Sequence, residues 1–341
     1  MIIIKVDIVG GSISGLTAAK SLKENKKSIK VVVHEKYKEI GYNHEGRRCG
    51  EAHSIENIWK KWKPEAKSIF NNISTVETTI GKKKYVVHRA PNSSCILNRQ
   101  EFICQLGREA EKLDVIIQTD DKIKTINDLD SDYIIDASGC PSSIRRELGI
   151  DKGMRGITYQ QTLEDSNYFK SDTVRIHFTD DFGYYWIFPR DPEKKEINLG
   201  VGLLGQFECD LKEMLEQFKK EHNIEGKVNY VLGGPIPGGL QRPLKYKNIL
   251  FVGDAGVGAF PLTGQGIYRA LLSGEAAGKC IALDCPRKYP YLMNRLFIKW
   301  DVVGKSFVRL IYVLREVGPK SVELASRYFM DFHGKLHQMI H

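Results

Sequence analysis

The stretch that decides the fold is KVDIVGGSISGLTAAKSLKEN, which occupies residues 5–25. Its apolar start predicts a buried strand, the segment GGSISG predicts a tight turn, and the remainder predicts a helix. A second apolar stretch, IKVVVHE, predicts another strand and ends on Glu35, 20 residues beyond Gly15. Strand, glycine turn, helix, strand and terminal acid in this order are typical of a dinucleotide-binding unit.

Each part of this unit has a chemical task. Gly10 permits the tight turn, Gly15 lets the helix pack closely, and the helix N-terminus presents amide N–H groups to a pyrophosphate. Glu35 is placed to accept hydrogen bonds from both ribose hydroxyls. The usual middle glycine is Ser12 here, whose Cβ costs little at negative φ and whose hydroxyl can hydrogen-bond a phosphate oxygen.

Strand–turn–helix corners recur at two later points. The first is DYIIDASGCPSSIRREL, residues 132–148, in which the strand ends on Asp136 and the turn contains Gly139. The second is NILFVGDAGVGAFPLTGQGIYRALLSGEAAG, residues 248–278, where Asp254 can bind a ribityl or ribose hydroxyl. The order and spacing of these corners favour one nucleotide site over two ordinary structural turns.

The helix of the last corner opens with Gly264, Gln265, Gly266 and Ile267. Its amide dipoles would face an anionic group, such as the pyrimidine edge of a reduced flavin. These later segments therefore favour FAD over a nicotinamide nucleotide.

These segments, with Arg99 in ILNRQEF, resemble the hydroxybenzoate-hydroxylase-like superfamily of FAD enzymes. Two further motifs are similar to those of the geranylgeranyl reductase family within it. RRCGEA at residues 47–52 matches the CGE segment of that family. Its YxWxFP signature and the GxG pair that follows are matched at Tyr184, Trp186, Phe188, Pro189, Gly200 and Gly202. The insertion DPEKKE between them predicts an exposed hairpin turn.

The resemblance implies an FAD site and a catalytic thiol. It places Cys49 beside the flavin ring, where Arg47 and Arg48 would stabilise a thiolate; a small residue buried in a tight loop is the alternative. The YxWxFP and GxG residues become the substrate-binding candidates, and no metal site is implied. The implied cofactor ligands are Gly10, Ser12, Ser14, Gly15, Glu35, Arg48, Cys49, Gly50, Arg99, Ile123, Asp136, Gly139, Asp254, Gly264, Gly266 and Ile267.

The implied fold is α/β, with a Rossmann-like FAD-binding domain interleaved with a β-sheet substrate domain and followed by a C-terminal helical segment. The FAD-binding domain takes residues 1–70, 95–150 and 245–285, the substrate domain residues 71–94 and 151–244, and the helical segment residues 286–341.

Reduction of an unactivated alkene makes demands on the substrate domain. The alkene offers no carbonyl to polarise, so an apolar tunnel must hold it against the flavin. Alternation in TVRIHF and INLGVGL predicts strands of a sheet that forms one wall of the tunnel. The candidate lining residues, for each of which plain core packing is the alternative, are Ile157, Tyr159, Ile176, Phe178, Tyr185, Trp186, Phe188 and Leu203.

Composition narrows the class of protein. With 341 residues, 42% hydrophobic and 27% charged, the chain is globular rather than disordered, collagenous or held by disulfides. No uncharged apolar run reaches the roughly 18 residues of a membrane span, and MIIIKVDIVGG offers no signal peptide. The 7 cysteines lack CxxC or zinc spacing, so we expect free thiols in a cytoplasmic protein, although Cys280 and Cys285 lie near enough in sequence for a disulfide to be considered.

Positive charge is concentrated at the C-terminus. Residues 287–341 hold ten Lys and Arg against four Asp and Glu, which is +6 of the total +9. Large apolar residues recur there at spacings of three and four, as in amphipathic helices. Peripheral docking on an anionic membrane surface and a plain solvated basic face are the two interpretations. Nucleic-acid binding is disfavoured because no binding motif accompanies the charge.

The predicted activity is that of an FAD-dependent reductase that saturates isolated C=C bonds of geranylgeranyl chains, in isoprenoid lipid precursors or in geranylgeranyl diphosphate. Its partners would be that polyprenyl lipid or diphosphate, the membrane surface and an electron-donor protein. Ferredoxin, NAD(P)H and reduced deazaflavin are the candidate reductants. The alternatives are reduction of a quinone's polyprenyl tail, flavin monooxygenation of an aromatic compound, and a non-catalytic flavin electron carrier or lipid-binding protein.

Overall fold

The computed structural model describes residues 3–41, 52–53, 61–179, 183–205 and 209–340. Within these ranges the chain forms two large β-sheets, one small β-sheet and eight α-helices. The glycine turn belongs to the first large sheet and the YxWxFP signature to the second.

The first large sheet has six strands and contains the glycine turn at the end of its strand β1. Val6, Ile8 and Val9 of β1 are buried on both faces of the strand, as expected of a parallel strand covered on both sides. All pairings are parallel except that of β15 with β16. The spatial order is β15 (Lys245–Tyr246), β16 (Ile249–Phe251), β9 (Tyr133–Asp136), β1 (Lys5–Val9), β2 (Lys30–His34) and β8 (Ile116–Gln118).

Helix α1 (Ile13–Asn25) follows β1 and packs against α6 (Ile267–Ala282). A Cβ at Gly274 of α6 would lie 2.3 Å from the carbonyl oxygen of Ser14, so the two helix backbones touch. This contact brings the beginning of the chain against a segment about 260 residues later. The other helices near this sheet are α2 (Arg99–Glu111), α3 (Ser143–Glu147) and α5 (Gly253–Gly256).

The second large sheet has seven strands, antiparallel except for the β5–β11 pair. Helix α4 (Leu211–Glu221) covers one face of it through Leu215 and Phe218. The spatial order is β14 (Lys227–Pro237), β10 (Arg155–Glu164), β13 (Glu196–Leu204), β12 (Gly183–Asp191), β11 (Thr173–Phe178), β5 (Thr75–Ile80) and β6 (Lys83–His88).

The small sheet contains β3 (Ala52–His53), β7 (Cys95–Leu97) and β4 (Ile69–Asn72) in that order. Ile96 of β7 and Val174 of β11 share one apolar cluster, which Phe188 of β12 also joins. The small sheet therefore packs against the uncovered face of the second large sheet.

Two long helices form the C-terminal part of the chain. Helix α7 (Lys288–Val317) is followed directly by α8 (Pro319–Ile340), and Gly318 between them has a φ of +131°. The inward side of α7 consists of Tyr289, Met293, Phe297, Asp301, Gly304, Val308 and Ile311. No helix in the described part of the chain has both the length and the apolar character needed to cross a bilayer.

The predicted α/β fold class is confirmed, including the helical C-terminal segment. DPEKKE forms the expected hairpin turn between β12 and β13. The domain boundaries stay a prediction.

Candidate cofactor and substrate site

The glycine turn has the geometry that a pyrophosphate requires. Gly10 has a φ of +110°, and a Cβ there would lie 2.5 Å from the carbonyl oxygen of Ala137. The first intrahelical hydrogen bond runs from the Leu16 amide to the Ser12 carbonyl, so the amides of residues 13–15 come before it and point out of the helix N-terminus. Ser12 is the N-cap, and the structure gives its side chain no capping hydrogen bond. The turn therefore offers amides and a hydroxyl to one anion.

Glu35 lies directly behind this turn. Its side chain is buried, with Oε2 accepting a hydrogen bond of 2.8 Å from the Gly11 amide and Oε1 one of 3.1 Å from the Tyr37 amide. These bonds fix the carboxylate at the carboxyl end of β2, the edge where the adenosine ribose of a bound dinucleotide lies.

Asp136 differs from its prediction as a cofactor ligand. It is completely buried, and its oxygens accept hydrogen bonds from the Ser138 amide at 3.0 Å and the Ser142 hydroxyl at 2.5 Å. Burial raises the pKa of Asp136, while these two serines favour its charged form. Its role is to shape the turn that contains Gly139, whose φ is +90°, rather than to touch a ligand.

Asp254 lies in the wall of a cleft at the end of β16. Its side chain is exposed to solvent, yet the surrounding protein displaces enough water from the carboxyl group to raise its pKa. The positive charges of Arg99 and Arg269 oppose that rise. A Cβ at Gly266 would lie 3.5 Å from Asp254 Oδ1, which brings the carboxylate to the start of α6. A partly dehydrated carboxylate in a cleft suits a hydroxyl donor such as a ribityl chain.

Residues 258–266, which we name the flavin loop, form the wall opposite the substrate sheet. Gly264 has a φ of +64°, and its amide donates to the Phe260 carbonyl at 2.9 Å. The Tyr184 hydroxyl donates a hydrogen bond of 2.6 Å to the Thr263 carbonyl. Burial raises the pKa of Tyr184, so its phenol remains a proton donor at this contact. The YxWxFP strand thus touches the loop that precedes α6.

Three aromatic side chains follow one another along one face of β12. The ring centroids of Tyr184 and Trp186 are 5.9 Å apart, and those of Trp186 and Phe188 are 6.3 Å apart. Trp186 Nε1 donates to Asn198 Oδ1 at 2.7 Å. The indole lies directly on Gly200, where a Cβ would come within 2.2 Å of Trp186 Cζ2. The GxG pair therefore makes room for a flat aromatic surface.

The remaining lining candidates divide between the two faces of the sheet. Ile176 and Phe178 of β11 are paired with Trp186 and Tyr184, and so share the aromatic face. Four candidates were predicted wrongly, because they pack against α4 on the opposite face: Ile157, Tyr159, Tyr185 and Leu203.

Tyr185 shows the physical reason, since its ring stacks on Phe218 of α4 with centroids 4.1 Å apart. Pro189 also points away from the aromatic face, because it alternates with Phe188 and is paired with Ile197 of the α4-side cluster. It is therefore corrected from a substrate-binding candidate to a structural residue. The side chain of Ile123 packs in the apolar cluster of Val9 and Ile134.

The predictions for Arg47, Arg48, Cys49 and Gly50 lie outside the described residues. Cys280 and Cys285 are free thiols rather than a disulfide, and burial raises the pKa of Cys280 to about 11. No group of three His, Cys, Asp or Glu side chains among the described residues is arranged to hold a metal ion.

Sequence reasoning missed the buried pair of Arg269 on α6 and Asp301 on α7, which lies behind the flavin loop. One signal was available: Asp301 falls four residues after Phe297, in the apolar stripe of a helix whose charged residues are mostly basic. A lone acid in an apolar stripe requires a buried partner.

The chain was compared with known families, curated proteins and solved structures. No family model matches it. It is 26% identical over 313 residues to a digeranylgeranylglycerophospholipid reductase of Methanothrix thermoacetophila, covering 81% of this chain and 77% of the relative. It is 27% identical over 306 residues to the enzyme of that name from Methanosarcina acetivorans, covering 80% and 73%.

Among solved structures, a geranylgeranyl bacteriochlorophyll reductase-like protein of Thermoplasma acidophilum superposes with a TM-score of 0.82 at 21% identity. The superposition covers 94% of this chain and 89% of the other. A flavin-dependent halogenase superposes with a TM-score of 0.71 at 18% identity, covering 95% and 68%. Both likenesses concern the fold.

Proposed function

We propose that the chain is a member of the geranylgeranyl reductase family of FAD-dependent oxidoreductases, and that it saturates isolated C=C bonds of geranylgeranyl chains in isoprenoid lipid precursors. The observation that carries the proposal is the hydrogen bond from Tyr184 to Thr263. It sets the aromatic face of the substrate sheet directly against the flavin loop. An apolar chain lying on Trp186 would therefore pass the cofactor.

The residues of the site fit FAD. Gly10 leaves space where a Cβ would collide with Ala137, and the α1 N-terminus presents amides to the pyrophosphate. Glu35 would hold the ribose, Asp254 the ribityl chain, and the start of α6 the pyrimidine edge. When bound, FAD supplies the hydride that an alkene without an activating carbonyl requires.

The protein's own contribution to the reaction is positional. Trp186 is fixed by its hydrogen bond to Asn198, so the aromatic face is rigid. Apolar side chains around it exclude water from the double bond, and a fixed orientation supplies much of the rate. Such a surface distinguishes a reductase of apolar chains from an electron carrier, which needs no apolar tunnel at the flavin.

We also propose Cys49 as the catalytic residue that meets the double bond beside the flavin. The Cys49→Ala variant is expected to keep FAD bound and to lower turnover by about a hundredfold, the usual scale for loss of a positioned proton-transfer group. Bound FAD is measured from the visible spectrum and turnover from the reduced lipid. Cys209→Ala, which alters an exposed cysteine, is the matched control. Unchanged turnover in Cys49→Ala would remove Cys49 from the mechanism.

The test of the proposed function uses dithionite, because it makes the result independent of whether ferredoxin, NAD(P)H or reduced deazaflavin is the natural donor. The holoenzyme is reduced anaerobically and mixed with a digeranylgeranyl glycerophospholipid or with geranylgeranyl diphosphate. Flavin reoxidation together with a gain of two hydrogens per double bond supports the proposal. A flavin that stays reduced until oxygen is admitted contradicts it, and oxygen consumption driven by an aromatic substrate would indicate a monooxygenase.

We propose further that the protein docks peripherally on an anionic lipid surface through the outer side of α7. The outer side carries a continuous exposed stripe: Arg295, Lys299, Val302, Ser306, Leu310, Val313 and Val317. Val313 is 65% exposed and Val317 71% exposed, values that are unusual for valine in water. Aliphatic residues beside Lys and Arg match a bilayer interface, where the chains enter the headgroup region and the basic ends meet phosphate. A lipid substrate would be drawn from the same surface.

A further inference from the structure

We propose that the buried ion pair of Arg269 and Asp301 is a positioning device that holds the flavin loop against α7 and thereby sets the geometry of the bound cofactor. The proposal rests on the proposed function only in so far as that function includes FAD. Both residues act through the loop rather than by touching substrate or cofactor.

The pair is bidentate and fully enclosed. Arg269 Nη1 lies 2.6 Å from Asp301 Oδ1, and Arg269 Nη2 lies 3.1 Å from Asp301 Oδ2. Arg269 is 0% exposed and Asp301 2% exposed. Parallel N–H···O bonds of this kind fix orientation as well as distance, which a lysine in place of the arginine could not do.

Each member also holds backbone on the cofactor side. Arg269 Nη2 donates a hydrogen bond of 2.5 Å to the Val257 carbonyl, immediately before the flavin loop. Asp301 Oδ2 accepts one of 2.6 Å from the Leu240 amide. Gly239, next to Leu240, in turn donates through its amide to the Ala259 carbonyl at 2.7 Å. Through these bonds the pair fixes both the start of the flavin loop and the segment on which it rests.

Aromatic and close-packed contacts complete the arrangement. The guanidinium of Arg269 lies over the rings of Phe260 at 4.9 Å and Phe297 at 4.3 Å. Further along α7, a Cβ at Gly304 would lie 2.9 Å from Pro261 Cβ, so the helix backbone touches the loop. The loop is therefore held between the pair at its start and the bare backbone of α7 at its middle.

The opposite side of the same loop faces the cleft. Thr263, Gly264 and Gln265 are exposed there, and Thr263 accepts the hydrogen bond from Tyr184. A loop that is fixed on its α7 side and exposed on its other side can present its backbone to a flavin with little conformational freedom. Buried ion pairs are often replaceable by apolar residues without loss of stability. A pair that also contacts the Phe260 ring of the loop, the Val257 carbonyl just before it and the Leu240 amide beside it points to a positional task.

The experiment compares FAD release from holoenzymes. In Arg269→Met/Asp301→Leu both charges are replaced by apolar groups, so no buried charge is left unpaired and the protein is expected to fold. Its thermal midpoint is expected to fall modestly, because the Val257 carbonyl and the Leu240 amide lose their partners. FAD dissociation is expected to be faster by about tenfold, the change that corresponds to losing one charge-assisted hydrogen bond. The visible circular dichroism of the bound flavin is expected to change as well, since its surroundings shift.

The matched control is a second buried ion pair, Arg190 and Glu196, whose Nη1 and Oε1 atoms lie 3.1 Å apart. It belongs to the β12–β13 hairpin, away from the flavin loop. Arg190→Met/Glu196→Leu is expected to release FAD at the wild-type rate. Equal acceleration in both double variants would overturn the proposal, because the effect would then be general destabilisation. Wild-type release and an unchanged flavin spectrum in folded Arg269→Met/Asp301→Leu would overturn it too.

Arg269→Lys is the second variant, to be used if the double variant does not fold. It keeps the positive charge and loses the two parallel N–H donors of the guanidinium. Faster FAD release in this variant supports the positioning role of the pair, and wild-type release contradicts it. Failure of the proposed function would be seen separately, as wild-type protein that holds FAD but reduces no polyprenyl chain. The FAD release rates decide the role of the pair in either case.

Discussion

In the candidate site, the indole of Trp186 packs in close contact with the backbone of Gly200. The indole rests on bare backbone, and a Cβ at position 200 would come within 2.2 Å of it. Gly200→Ala must therefore push the indole toward the cleft. We expect a stability loss of about 1–3 kcal/mol, as in overpacked cores, and a fall in turnover of roughly tenfold or more with FAD retained.

Gly234→Ala is the control for this prediction. Gly234 lies on β14 of the same sheet, and a Cβ there would meet no atom within 4 Å. Both variants are measured by chemical denaturation, flavin content and turnover on a polyprenyl substrate. Equal turnover in the two variants would show that the position of the indole does not matter to the reaction.

His34 of β2 lies between two carboxylates, Asp7 of β1 and Asp121 in the segment after β8. Its Nδ1 lies 2.7 Å from Asp121 Oδ2 and its Nε2 3.4 Å from Asp7 Oδ1, the second distance being that of an ion pair. Burial alone would lower the pKa of His34, but the two carboxylates outweigh it and raise the pKa. The charged form is therefore the one that the folded state prefers.

This preference predicts a pH dependence of stability. A histidine with a raised folded-state pKa contributes fully below its unfolded pKa of about 6.5, and the contribution is lost as pH rises through the folded-state value. His34→Gln should destabilise the protein by about 1–3 kcal/mol at pH 6 and by less at pH 9. Urea denaturation at the two pH values measures this, with exposed His88→Gln as the control. A loss that does not change with pH would contradict the ion-pair account.

Residues whose chemistry is local were predictable from the sequence. GGSISG and GDA carry their geometry in consecutive residues, so the tight turn at Gly10 and the place of Asp254 just after a buried strand were predictable. Tyr185 and Leu203 were assigned to the wrong face, because alternation separates two faces of a strand without saying which one a helix covers. The Arg269–Asp301 pair was missed since its members are 32 residues apart and meet only through tertiary packing.

At the scale of elements, α7 is a helix with two different sides. Its inward stripe touches the flavin loop and the first sheet, while its outer stripe combines exposed valines and leucine with basic residues. The concentration of charge and the helical spacing were predictable from composition. Which side is buried and which is exposed was not predictable, because this depends on what packs against the helix.

The outer stripe predicts how lipid binding will respond to mutation. Leu310→Glu/Val313→Glu should weaken binding to vesicles containing phosphatidylglycerol by about tenfold or more, since it removes apolar contact and adds negative charge. Stability should hardly change, because Leu310 is 47% and Val313 65% exposed. Vesicle cosedimentation measures the binding.

Val228→Glu/Val231→Glu is the matched control, with both valines similarly exposed on β14. It should bind these vesicles as the wild type does. Equal loss in both variants, or wild-type binding in the α7 variant, would exclude the outer stripe as the docking surface.

At the scale of the whole molecule, the proposed cofactor site joins distant parts of the chain. The α1 turn, the turn after β9 and the flavin loop would all contribute to it. At about 100 times Kd, bound FAD should add about 2.7 kcal/mol to the free energy of unfolding and raise Tm by roughly 5 °C.

Ser12 gives a sharp test of how that stabilisation arises. Asp is a favourable N-cap, so Ser12→Asp should not destabilise the protein without FAD, but its charge would repel a pyrophosphate at the same helix end. The FAD-induced rise in Tm should therefore disappear in Ser12→Asp and persist in the neutral Ser12→Asn. Calorimetry with and without FAD measures it, and a full rise in Ser12→Asp would place the pyrophosphate elsewhere.

The position of β1 in the middle of its sheet has a consequence for biosynthesis. Its neighbour β9 begins at Tyr133, and the flavin loop ends at Gly266. At ribosomal rates of about 5–20 residues per second, the nascent strand waits on the order of tens of seconds for the last of these segments to emerge. We therefore expect the complete FAD site to form only after residue 266 has left the ribosome.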